Sequence, residues 1–104
     1  MIQATFSKNE DGEITSFKVE GHAGYAPSGR DIVCVAVSAL VVGTINGSEG
    51  LTDATIDTAV SHRFIKVDIK KPTPYSNVLI NSMLLSSKGI QEEYLDNLAV
   101  IEIK

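Results

Sequence analysis

From Ile32 to about Asn46 the chain reads IVCVAVSALVVGTIN, a helix-length run with apolar residues around nearly its whole circumference. Its many β-branched residues give it mediocre intrinsic helix propensity, so packing has to stabilise it. A helix that is apolar all round calls for burial on more than one side. A place between a sheet and a second helix, or against a dimer partner, meets that demand. The fold therefore has to supply a broad apolar surface from the remaining residues.

Strand-forming segments provide one. Ile2-Gln3-Ala4-Thr5-Phe6 alternates apolar and polar residues, and Ile14 to Gly21 places Phe17 and Val19 on one face. Asn9-Glu10-Asp11-Gly12 between them has turn chemistry, so the two segments predict an antiparallel hairpin. Gly47-Ser48-Glu49-Gly50 is expected to end the first helix, with glycine in the left-handed closing conformation. Ala54 to Val60 and Arg63 to Lys70 read as a second hairpin, with His62 in its turn. Lys71-Pro72-Thr73-Pro74 breaks the pattern. From Tyr75 to about Leu95 the apolar spacing suits an amphipathic helix that Gly89 is expected to interrupt, and Leu98 to Ile103 closes the chain as a strand within the sheet. The order ββαββαβ predicts an α+β fold, one domain over residues 1–104, with two helices packed on a mostly antiparallel sheet.

Composition narrows the function classes. The formal net charge is −4, and the one basic cluster is Lys70-Lys71, which argues against nucleic acid as a partner. No segment reads as long enough to span a membrane. The start MIQATFSKNEDGE lacks a basic stretch followed by an apolar signal core. With a single cysteine no internal disulfide can form, and a soluble cytoplasmic protein with a reduced thiol is expected. One Cys and two His without carboxylates at ligand spacing predict no metal site, and no cofactor is implied.

The chemistry concentrates in GHAGYAPSGRDIVCVAVSAL, residues 21–40. With Asp31 as N-cap, Cys34 falls in the first turn of the helix, where backbone N–H groups and the helix dipole favour an anion. A helix terminus contributes about 0.3–1 kcal/mol, whereas easing ionisation of a thiol by two pH units takes about 2.7 kcal/mol. An imidazole would make up the difference, and His22 is the candidate base. The same N–H groups could hold an oxyanion in acyl transfer. Ser38, four residues after Cys34, shares its helical face, and Asp31 could orient His22 as well as cap the helix. The plainer readings stand beside these: a buried core cysteine, a structural histidine, a simple cap, a serine bonded to its own helix, and a bystander His62.

Gly21-His22-Ala23, the Gly29-x-Asp31 step and Ile32-Val33-Cys34 followed by Ser38 resemble the signature of the ribosomal-processing cysteine protease family Prp. The likeness extends to length and element order. It implies a cysteine endopeptidase that removes the N-terminal extension of the twenty-seventh protein of the large ribosomal subunit. His22 and Cys34 would be its catalytic pair, Asp31 and Ser38 its supporting positions, and residues 23–30 a loop over the site. The resemblance also implies a homodimer and a ribosomal protein precursor as peptide substrate, cut after a small residue that aromatics precede. Val35 departs from the family pattern, which carries a small alanine after the cysteine. Two other readings come from different classes: a non-catalytic protein-interaction module of ribosome assembly, and a thiol redox sensor.

Overall fold

A computed structural model describes residues 1–21 and 32–104. Alternation along the first strand, β1 (Ile2–Lys8), divides the sheet into two faces. Ile2, Ala4 and Phe6 are buried, while Gln3 between the first two is exposed. β2 (Ile14–Gly21) pairs antiparallel with β1 and sets Phe17 directly opposite Phe6. The two rings stack with centroids 5.9 Å apart. Asn9 builds the turn, its Oδ1 accepting from the N–H of Asp11 and of Glu13, and Gly12 takes φ +80°.

The other elements are α1 (Ile32–Leu51), β3 (Thr55–Ser61), β4 (Phe64–Lys71), α2 (Pro74–Glu93) and β5 (Leu98–Ile103). The expected ββαββαβ order is the observed one. The five strands form one sheet in the order β3-β4-β2-β1-β5, antiparallel except for the parallel pair β1 and β5. Phe17, Val67 and Leu98 join Ile2, Ala4 and Phe6 in a core with Val33, Val37 and Val41 of α1 and Ile80, Met83 and Leu84 of α2.

Several local expectations are corrected. The first helix does not stop at Gly47–Gly50 but runs through them to Leu51. Gly47 packs on α2, where a Cβ would stand 3.3 Å from Leu79 Cδ1, and Ser48 is buried. Packing there outweighs roughly 1 kcal/mol of lost propensity per glycine. Thr52 supplies the stop instead: its Oγ1 donates to the Ser48 carbonyl and accepts the Ala54 N–H. Gly89 likewise leaves α2 unbroken. Thr73 and Pro74, read as part of a breaker, begin that helix, in which Thr73 and Ser76 form a reciprocal capping box.

The extra turn makes α1 long and apolar enough, by length and composition, to cross a membrane, contrary to expectation. Its Val33, Val37 and Val41 are instead committed to the core. All-round burial is not met either. Val35 is 65% exposed and Val42 57%, because the sheet and α2 cover only part of the helix circumference.

Glu102 on β5 ties that edge strand to its neighbours. It accepts from Lys88 of α2 at 2.7 Å and from Lys8 of β1 at 3.1 Å. The Lys88 ammonium first, and then that of Lys8, hold its carboxyl below the usual value. A carboxyl lowered on folding stabilises the protein at neutral pH, and this contribution fades as pH falls through the lowered value. Glu102→Gln is therefore expected to lose about 1 kcal/mol or less at pH 7 and almost nothing in acid. Denaturant unfolding at both pH values checks this, and an equal loss at both would contradict the ion-pair account.

Candidate active site

Cys34 is the third residue of α1, in the opening turn that the sequence assigns to it. Its thiol is not in a disulfide, and the residue is half-buried, packed on the edge of the core rather than sealed within it. Val33, one residue before, is 1% exposed and anchors the helix start to the core. Cys34 is thereby set beside the core on a fixed turn. Val35 turns outward, so its branched side chain does not press on the packing beneath Cys34.

A cleft of about 250 Å³ adjoins Cys34. α1 forms one wall with Cys34, Val37, Ser38, Val41 and Val42, the repeat expected of one helical face. The opposite wall comes from the sheet: Ile2, Val19, Gly21, Phe64 and Ile65, together with Arg63 from the turn before β4. Strand pairing assembles this wall, since Val19 stands opposite Ile65 and Glu20 opposite Phe64 in the β2–β4 ladder. Among the described residues the lining is apolar apart from Ser38, Arg63 and the thiol. Such a cleft suits an apolar side chain held next to the Cys34 thiol.

Gly21 closes the sheet wall in a conformation that favours glycine, φ +94°. Its N–H donates to the carbonyl of Arg63 at 3.0 Å, fastening the end of β2 to the β3–β4 turn. His22 is the next residue in the chain.

Of the four residues singled out in the sequence, Cys34 and Ser38 come together on the cleft. His22 and Asp31, and the loop 23–30, lie outside the described residues. His62 sits exposed in the turn between β3 and β4 and is not among the residues lining the cleft. Arg63, Phe64 and Ile65 escaped the sequence reading. They are about thirty residues from Cys34, and no local pattern announces the pairing that brings them there.

Comparison with known proteins gives the arrangement its context. The family model described as cysteine protease Prp matches residues 1–99. The ribosomal processing cysteine protease Prp of Bacillus subtilis (strain 168) is 36% identical over 107 residues, covering 96% of each chain. Its counterpart in Staphylococcus aureus (strain Mu50 / ATCC 700699) is 31% identical over 102 residues, covering 94% of this chain and 95% of that one. A crystal structure of an essential ribosomal processing protease Prp from S. aureus, in complex with a covalently linked product peptide, superposes with a TM-score of 0.94. It is 28% identical and covers 98% of this chain and 99% of that one. A second, with a substrate peptide, has a TM-score of 0.87 at 27% identity, with the same coverage. The ββαββαβ fold that carries Cys34 and its cleft thus has its counterpart in solved Prp proteases, and this chain belongs to the cysteine protease Prp family.

Proposed function

We propose that this cysteine peptidase removes the N-terminal extension of the twenty-seventh large-subunit ribosomal protein, with Cys34 as nucleophile and His22 as base. The observation that carries the reading is the placement of Cys34 on a helix-opening turn at the wall of an apolar cleft whose other wall ends at Gly21, the residue before His22. The peptide-bound structures of the S. aureus relatives support a peptide as substrate.

In this mechanism His22 takes the proton of Cys34, and the sulfur attacks the scissile carbonyl carbon to form a C–S bond. The carbonyl electrons move to oxygen, and backbone N–H groups of the opening turn stabilise that oxyanion. Collapse breaks the C–N bond, and His22 protonates the departing amine. Water, deprotonated by His22, then attacks the thioester, releasing a carboxylate and restoring the thiol. Asp31 orients the imidazole and Ser38 hydrogen-bonds beside the reacting groups.

A dimer completes the reading. Val35 and Val42 on α1, and Tyr75, Val78 and Leu85 on α2, are exposed apolar side chains. Their stripes flank a shallow groove between the helices, lined in part by Ala39, Gly43, Leu79 and Ser82. A second copy of the chain would give α1 the cover it lacks. The cytoplasm, where a reduced thiol persists, is the compartment that suits this work.

The test incubates the protein with a synthetic peptide spanning the extension junction of its own organism's ribosomal protein and follows the products by mass spectrometry. The wild type should cut one bond, and His22→Ala should be slower by roughly 10²–10⁴-fold. At fixed near-neutral pH, iodoacetamide should also modify Cys34 faster in the wild type than in His22→Ala. An authentic junction left intact by the wild type would turn the reading to a binding module of ribosome assembly.

A further inference from the structure

Arg63 occupies the short turn between β3 and β4 with φ +57°, the one positive value among the described non-glycine residues. L-side chains avoid this region, and Gly or Asn is the residue that fits it. A long cationic side chain is thus the locally disfavoured choice. Such conformations persist where the surroundings over-determine them, and they gather at functional sites. Here the Arg63 carbonyl accepts the Gly21 N–H, and the residue lines the cleft with Cys34, Ser38, Val42 and Phe64. Among the described lining residues it is the one charged side chain. The chain carries a net charge of −4, so this cation is no part of a generally basic surface.

Exposure sorts the lining by depth. Ile2, Val37 and Val41 are buried at the bottom, whereas Gly21, Ser38, Val42 and Arg63 are exposed at the opening. A peptide that lodges an apolar side chain in the cleft carries its own backbone past that rim. A guanidinium offers five planar N–H donors matched to carbonyl and carboxylate oxygens.

We propose that Arg63 is a substrate-binding residue whose guanidinium donates to an oxygen of the peptide beside the side chain held in the cleft. That oxygen belongs to a main-chain carbonyl or to a neighbouring carboxylate or amide side chain. The proposal rests on the reading of the cleft as the peptide site.

Arg63→Gly and Arg63→Asn test it, since both suit the left-handed conformation. Each should unfold at a temperature equal to or above that of the wild type. KM for the junction peptide should rise about tenfold or more with kcat within about twofold, the loss expected for one charge-assisted hydrogen bond. Arg63→Lys should recover only part of the affinity, since it keeps the charge and loses the fork. In the wild type, replacing residues near the cut by Ala, Glu and Lys separates the two oxygen sources. Strong discrimination at one position that vanishes in Arg63→Asn identifies a side-chain oxygen, and uniform loss across the series a main-chain carbonyl. An unchanged KM in stable Arg63→Gly and Arg63→Asn proteins would overturn the proposal while leaving the protease reading intact. Should the wild type leave every junction peptide uncut, calorimetric titration of that peptide into Cys34→Ala with and without Arg63→Asn decides the matter. A Kd unaffected by Arg63→Asn, or no binding at all, overturns it.

Discussion

Cys34→Ser is expected to abolish peptide cleavage, with kcat falling by about 10³-fold or more, a barrier increase of at least about 4 kcal/mol. The alcohol is nearly the size of the thiol but far harder to ionise, so in the proposed mechanism the imidazole would have a much poorer nucleophile to activate. Little else should change. Cys34 lies at the edge of the core and is only half-buried, and serine suits an opening helical turn at least as well. The melting temperature should therefore stay within a few degrees of the wild type, and the junction peptide should still bind. Cleavage by mass spectrometry, melting by circular dichroism and binding by calorimetry separate these effects. Cleavage that survived the substitution would exclude Cys34 as the nucleophile. A collapse of the melting temperature would return it to the role of a core residue.

Gly21→Ala should be among the most damaging single-methyl additions. Two independent penalties coincide there. Its φ of +94° is a conformation that alanine resists, and the new Cβ would stand 2.4 Å from the Met1 carbonyl oxygen, closer than real contacts allow. The strand end cannot simply swing away, because Gly21 faces Ile2 in the ladder and its N–H is bonded to Arg63. Together these should cost about 3 kcal/mol, or roughly 15 °C in melting temperature for a domain of this size. Gly12→Ala is the internal control. Its φ is +80°, but nothing lies within 4 Å of the added atom, so it should lose only roughly 1–2 kcal/mol. Equal losses at the two positions, measured by denaturant unfolding, would show that the Met1 contact carries no energy. Any folded Gly21→Ala protein should also cleave more slowly at temperatures where it remains native, since His22 follows directly in the chain.

The contrast between the two glycines shows what a sequence can convey. Turn chemistry at Asn9–Gly12 was legible because Asn9 satisfies its own neighbours' N–H groups. The alternation of Ile2, Ala4 and Phe6, the two hairpins, and the placing of Cys34 and Ser38 on one helical face rest equally on residues a few positions apart. The helix end was misread for the converse reason. Glycines 47 and 50 weaken a helix locally, yet the packing of Gly47 against Leu79 of α2, made across the fold, carries α1 onward to Leu51.

The order of the seven elements, the alternating sheet residues and the cysteine in its opening turn were thus determined by the sequence itself, through backbone preferences and periodicities that act within a turn or a strand. Only the tertiary structure decided that Arg63, Phe64 and Ile65 face Cys34 across one cleft, and that α1 keeps Val35 and Val42 in the open. Those outcomes follow from strand pairing and helix docking between residues far apart in the chain. There the free energy lies in buried area and closure of the sheet, quantities that no short stretch of residues contains.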